Sequence, residues 1–480
     1  MNIKHSRVLL FFLALLFAFI ASGCTDDEDK DDDNDAGGTD DDDNDDDNDA
    51  SPPADDDDDD NDDQPALQVG AARVDITPED SVLLGGFGSC FLAAAFCRWS
   101  EGVHDPIDAT AIALDDGNVP PIVVINLDIV GLIITDGIAI RQQLGAALGI
   151  GPERIVVTST HNHQSPDTIG LWGVIIPPQT GRDDDFIAAM IAGAVQAGRE
   201  AYDNRVPVYA FAAQGLETEL HYNVEQQDDP EAPLDSHLTV LQFIDEAGDS
   251  VATLGSWGAH ATAMGPHNSL LSADFPGAYY QYMDQALGGV NMFVNGVLGG
   301  GVLLVNNPDP NSGLFEDWGT WAEVDRIGEV LADRARELLA GAEELDDPAV
   351  NIITTVVETK LQNIAFAGIG LLNLIPREIP PLGGNGVSQL SAWRLGPVVF
   401  ASMPGEVTPR VGLALREMIG GDYQIIANVA QDWIGYIMAE EEYRNLNYIY
   451  YAMLAVGPDT GRDVLAVYQK ILPELSPPAF

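Results

Sequence analysis

Between Thr25 and Gln64 the chain is almost only aspartate and asparagine, and no segment of that kind can enter a folded core. It holds 24 acidic residues against one lysine and has no aromatic or aliphatic β-branched side chain. So little apolar surface cannot offset the entropy cost of ordering, and the like charges repel one another. The composition predicts an extended, disordered tether over 24–65. Its Asp-Asn runs lack the glycine turn and terminal glutamate of an EF-hand loop, so calcium binding there stays open. Whatever folds must come from residues 66–480, which is ample for a large core.

Ahead of the tether, Lys4 and Arg7 precede an apolar run from Val8 to Ile20 that ends in Ala21-Ser22-Gly23-Cys24. A basic start, a short apolar stretch and small residues before a cleavage point make a secretory signal over 1–23, too short for a membrane span. The cysteine after the small residues resembles the lipobox of bacterial lipoproteins. That resemblance implies a lipidated Cys24, a membrane anchor at the N-terminus and an exported protein of the cell envelope. Thr25 stands where an inner-membrane retention signal would place aspartate, which favours the outer membrane. Without the tether and the signal the body still carries roughly −35 of the total charge of −56. An acidic surface excludes nucleic acid as a partner, because phosphate binding needs a basic footprint. The oligomeric state is not readable from the sequence.

Two cysteines remain, Cys90 and Cys97, seven positions apart. In an exported protein such a pair reads as a disulfide closing a small loop rather than as a metal site. Short β-rich runs at 109–114 and 122–127 flank the turn Asp115-Asp116-Gly117-Asn118. Helical apolar spacing over 136–148 stops at Gly149, and 154–160 is again β-rich, so strand, helix and strand predict a βαβ crossover. Helices are expected over 185–202, 318–340 and 410–419. Strands are expected near 208–212, 238–244, 251–257, 290–294, 351–357, 398–401 and 423–428. The fold class is mixed α/β, with sheets covered by helices. The apolar run 364–375 reads as buried core, with an acyl-chain groove as the alternative.

The chemistry gathers just past predicted strands. His161-Asn162-His163-Gln164-Ser165-Pro166 follows the 154–160 run, and residues i and i+2 of an extended segment face the same way. Trp257-Gly258-Ala259-His260 puts another histidine after a strand, followed by Ser272-Ala273-Asp274. Pro404-Gly405-Glu406-Val407-Thr408 sets a carboxylate after a strand, and Asp432-Trp433-Ile434-Gly435-Tyr436 with Tyr448 ends the series. Two imidazoles and a carboxylate with one open position form a known zinc arrangement for activating water.

These segments resemble, in order, motifs of the neutral/alkaline non-lysosomal ceramidases. The His161 segment is similar to their His-Thr-His-Ser-Gly-Pro, and the stretch around His260 and Asp274 to their second histidine and Ser-Gly-Asp. Pro404 to Thr408 is similar to their Pro-Gly-Glu-Phe-Thr, and Tyr436 to Tyr448 to their Tyr-Ile-Thr-Thr and Glu-Glu-Tyr run. The resemblance implies a ceramidase-type catalytic domain that binds Zn2+ through His161, His260, Glu406 and Tyr436. It also implies that His163 and Tyr448 stand around the reacting carbonyl, and that the substrate is a lipid or other small amide. The chain departs from the family in three places. Gly299-Gly300-Gly301-Val302 stands where the family has a catalytic serine, with Val302 at its position. Tyr222-Asn223-Val224-Glu225 stands where an arginine is expected. The sequence ends near Phe480 without the C-terminal β-sandwich of the full-length enzymes. Three readings follow: a lipid amidase, a metal hydrolase of the same fold acting on another amide or ester, and a binding lipoprotein that has lost catalysis.

Overall fold

The computed structural model describes residues 67–88, 90, 97–227, 229–305 and 319–475. The expectations for the signal segment, Cys24 and the Asp-rich tether fall outside those residues.

The two most apolar runs, Ile122–Leu127 and Ile155–Ser159, are strands buried on every residue. Such runs need cover on both faces, and they receive it in a parallel pair joined by a crossover helix. They pair in parallel with Val123 opposite Ile155, and the helix Ile134–Leu148 makes the crossover. That helix stops at Gly149, whose φ of 72° is the left-handed conformation a helix end requires. The helix Asp184–Asp203 begins where Asp183 accepts a hydrogen bond from the Phe186 N–H at 2.8 Å.

The large sheet runs in the order Val290–Asn295, Ser250–Trp257, His237–Asp245, Val206–Leu216, Gln68–Asp75, Asp108–Asp115, Ile122–Leu127, Ile155–Ser159. Its two edge pairs are parallel and the pairs between them antiparallel. A second sheet has the order Val350–Lys360, Asn385–Leu395, Val398–Ser402, Tyr423–Ala427. Strand alternation sends neighbouring residues to opposite cores. Leu241 and Phe243 meet Trp393, Phe400 and Ile425 of the second sheet. Val240 instead joins Tyr279 and Leu331 under the helices Phe275–Leu287 and Trp321–Leu339. The helices Pro409–Ile419 and Thr460–Leu475 cover the far side of the second sheet. The result is four layers, helix, sheet, sheet and helix, with sheets covered as expected.

The expected βαβ unit is present, and Cys90 and Cys97 form the expected disulfide, with Cα atoms 4.8 Å apart. The strand Asn385–Leu395 and the helix Thr460–Leu475 were not anticipated. The run 364–375 forms the helix Ile364–Leu371, with Phe366 and Ile369 in the core and Ile364 and Leu371 exposed at its ends. No helix of the described residues is long and apolar enough to cross a membrane.

Candidate active site

His161 sits two residues beyond the end of the edge strand Ile155–Ser159, with a φ of 56°. A left-handed histidine is uncommon and persists only where surrounding contacts enforce it. Here the next residues are held on both sides. The Asn162 N–H donates to Ile129 O at 3.1 Å, and the His163 N–H donates to Ala261 O at 3.2 Å. Asn162 and Ala261 also form a parallel bridge, so the two histidine-bearing segments are stitched together.

The ring orientations are fixed by backbone. His161 Nδ1 lies 2.6 Å from Val130 O, and His260 Nδ1 lies 2.9 Å from Val302 O. A carbonyl oxygen only accepts, so both Nδ1 atoms carry the proton and both Nε2 atoms present a lone pair inward. Glu406 Oε2 lies 3.5 Å from His161 Nε2 and 3.3 Å from His260 Nε2. Its other oxygen, Oε1, accepts from Trp433 Nε1 at 3.0 Å. All three groups are buried. Burial works against the charge on Glu406, and only positive charge beside Oε2, on the two imidazoles or on a cation between them, holds the carboxyl well below its usual range. Three acceptors converging in a buried space fit a cation, because they cannot satisfy one another.

His163 completes a triad. The ligand nitrogens of His161, His163 and His260 all lie within 4.8 Å of one another, and His163 Nε2 is 3.3 Å from His161 Nε2. The Nδ1 of His163 is buried and has no hydrogen-bond partner among the described residues. Burial, and then His161 and His260, push its pKa well below the ordinary imidazole value, so the ring is neutral. Gly86 backs this ring. With a φ of 92°, it would place a Cβ 2.2 Å from His163 Cγ, so only glycine fits. The edge of Phe87 meets the ring at 4.8 Å between centroids, and Arg98 donates to His163 O. Phe87 and Arg98, which flank the disulfide pair in sequence, thus form part of this wall.

Glu406 and Tyr436 are opposite one another in a two-residue parallel pair, Glu406–Val407 with Tyr436–Ile437. Burial and the nearby Glu406 raise the Tyr436 hydroxyl well above the usual phenol range, and that hydroxyl donates to the carboxylate. Gly299 lies under this pair: its N–H donates to Val407 O at 2.8 Å, and an added Cβ would come within 2.4 Å of Glu406 O. The triple glycine thus brings the chain close to the strand that carries Glu406. Val302 is buried, and its carbonyl serves His260.

Tyr448 is buried, but it is Tyr451 whose ring neighbours Tyr436, at 5.1 Å. Tyr448 stands beyond it, with its centroid 6.4 Å from that of Tyr451. Asp274 and Asp432 are structural locks. Asp274 accepts from the N–H groups of Ala263, Met264 and Phe275, which fixes the turn after His260. Asp432 binds Arg377 through both oxygens at 2.8 and 2.7 Å.

The sequence did not single out Asn295. Its Nδ2 donates to Thr160 O at 2.7 Å and to Ala259 O at 2.8 Å, the carbonyls just before His161 and His260. Nor did it single out Trp433, Tyr451 or Gly86 as parts of the site. A polar Asn295 closing the apolar run 290–294 is the one sequence signal that could have pointed to it.

No family model matches the chain. A neutral ceramidase of rice, Oryza sativa subsp. japonica, is 24% identical over 231 residues, 45% of this chain and 28% of that protein. Neutral ceramidase 1 of Arabidopsis thaliana is 21% identical over 229 residues, 45% of this chain and 29% of its own length. The matched stretch thus spans under a third of the length of these curated relatives. The solved neutral ceramidase of Pseudomonas aeruginosa superposes with a TM-score of 0.73 at 19% identity, covering 87% of this chain and 76% of that one. A ceramidase complexed with C2 gives a TM-score of 0.70 at 19% identity, covering 87% and 77% of the two chains.

Proposed function

From the premise that the chain has the fold of the neutral ceramidases, we propose that it is a zinc-dependent hydrolase of the amide bond in ceramide or a related N-acyl lipid. The observation that carries this reading is the convergence of His161 Nε2, His260 Nε2 and Glu406 Oε2, each imidazole oriented by a backbone carbonyl. Tyr436, beside Glu406 in register, is the fourth candidate ligand. A bound zinc ion would supply Lewis acidity and lower the pKa of water from 15.7 to about 7.

The chain's own groups supply the rest. Neutral His163, beside the ligand cluster, accepts a proton from water and returns it to the leaving amine. Tyr448, whose buried hydroxyl has no partner among the described residues, is the donor available to a developing oxyanion. Trp433 holds the second oxygen of Glu406, which keeps the carboxylate aimed at the site. At the other end of the chain, lipidation at Cys24 would tether the enzyme to the envelope membrane, where a lipid amide is met.

Val302, which carries no hydroxyl where the resembling family has a serine, favours a second reading: the same chemistry on another amide or ester. The test of the first is fatty-acid release from a short-chain ceramide by the zinc-loaded full chain, with and without a chelator. Release is expected, abolished by the chelator and reduced at least about a thousandfold by Glu406→Ala. Protein that holds one zinc per chain yet releases nothing from ceramide would move the assignment to other amides and esters.

A further inference from the structure

The three histidines of the site are spaced alike but are not held alike. His163 Nε2 lies 3.3 Å from His161 Nε2, and Glu406 Oε2 lies 3.5 Å from His161 Nε2 and 3.3 Å from His260 Nε2. Zinc bonds of about 2.05 Å in a tetrahedron put neighbouring ligand atoms about 3.3 Å apart. The run from His163 to His161, to Glu406, to His260 therefore has the spacing of neighbours around one ion. The ligand nitrogens of the three imidazoles all lie within 4.8 Å of one another. The rings of His163 and His260 are the widest pair, 5.7 Å between centroids against 4.8 and 5.1 Å for the others. A shared ion would draw these two together.

A ligating imidazole is ordinarily fixed by a hydrogen bond from its other nitrogen. His161 and His260 have that bond, to Val130 O and Val302 O, whereas the buried Nδ1 of His163 has no partner among the described residues. The backbone of His163 is pinned at both ends, its N–H on Ala261 O and its carbonyl by Arg98. Its ring is held only by packing, with Gly86 and the edge of Phe87 beside it. The side chain can therefore turn while its Cα stays in place. Four protein ligands close a zinc site, and hydrolysis needs one position open. Of the four groups gathered here, His163 is the one least tied, so it is the one that yields.

We propose that His163 is an exchangeable ligand: with His161, His260 and Glu406 it closes the metal site of the substrate-free protein, and an oxygen donor, the amide carbonyl or the product carboxylate, displaces it. This deepens the hydrolase reading and rests on it for the identity of the displacing group. The exchange trades one dative bond from nitrogen for one from oxygen, with no electron transferred and no covalent bond broken. Once released, the ring is free to serve as the base described above. In the closed state Tyr436 remains the donor to Glu406.

The test is X-ray absorption at the zinc edge, where multiple scattering counts the imidazoles on the metal. The zinc-loaded full chain is measured alone and with octanoate, beside His163→Gln alone. Three imidazoles are expected in the wild-type chain, two when octanoate is present and two in the variant. Chelator competition should show zinc held at least about tenfold less tightly by His163→Gln. The two wild-type counts decide the matter whether or not the variant folds. Two imidazoles in the wild-type chain alone would overturn the proposal and leave the hydrolase standing, with His163 as base only. Three that octanoate does not reduce would make His163 a permanent ligand and overturn the exchange. Three falling to two, in a chain that hydrolyses neither amides nor esters, would support the exchange and overturn the hydrolase.

Discussion

At the residue scale the site depends on side chains that never touch a metal. Asn295 ties the chain just before His161 to the chain just before His260, through two donated bonds at 2.7 and 2.8 Å and one accepted from the Ala259 N–H at 3.2 Å. Its removal leaves two buried carbonyls unpaired and frees the histidine segments to drift apart. Asn295→Ala is expected to cost about 1–3 kcal/mol of stability and to weaken zinc affinity roughly 10- to 100-fold. Asn295→Asp restores the acceptor but neither donor, so it should rescue little. Competition with a chromophoric chelator, set beside thermal melts, separates the two effects. If affinity holds while stability falls, Asn295 serves the fold and does not position the ligands.

At the scale of elements, the two-residue pair of Glu406–Val407 with Tyr436–Ile437 is too short to hold itself in place. Gly299 props it from below with one backbone bond and a contact only glycine allows. Gly299→Ala should displace the pair, lower zinc affinity at least about tenfold and cost about 1–3 kcal/mol. Gly300→Ala is the control. Its φ of 74° strains the backbone, yet the nearest neighbour of its Cβ is the Thr408 methyl at 3.2 Å, so affinity should change less. Equal zinc affinities in the two variants would refute this reading of the turn. Such dependencies explain what the sequence could show. The strand-then-histidine pattern at His161 and His260 and the Pro-Gly turn before Glu406 are local signals, and each proved to sit at a strand end in one cluster. Apolar runs likewise revealed the parallel pair at Ile122–Leu127 and Ile155–Ser159. Asn385–Leu395 escaped notice because Gly386, Ser388, Gln389 and Ser391 interrupt its apolar character. The role of Asn295 and the register of Glu406 on Tyr436 join residues distant in sequence, and composition carries no trace of them.

At the scale of the whole molecule, charge and burial set how stability follows pH. Under the large sheet, Asp128 accepts from the Tyr280 hydroxyl at 3.0 Å and from the Asp108 N–H at 3.1 Å. Arg73 pairs with Asp284 at 2.8 Å beside them, and Asp75 and Asp105 add negative charge near Asp108. Burial first, then the negative neighbour Asp108, raises Asp128 to about 8, while burial outweighs Arg73 and raises Asp108 to about 6. An acid whose pKa is raised by folding binds its proton more tightly in the native state. Its contribution is therefore full at low pH and is lost as pH rises from the unfolded value near 4 to the folded one. His221 works in the other direction: burial lowers it to about 4, so stability falls as pH drops from about 6.5 towards 4. Stability should therefore peak in mildly acid solution, and a chain with a net charge of −56 gains further there as its self-repulsion eases. Asp128→Asn isolates the first effect, because an amide keeps the shape and never ionises. With metal removed from both proteins, denaturant unfolding from pH 5 to 9 should show the wild type losing up to about 1.4 kcal/mol per pH unit relative to the variant. That loss should level off above pH 8. Parallel curves would mean that Asp128 is ionised in the folded protein at neutral pH, with Arg73 and Tyr280 as sufficient partners for a buried charge.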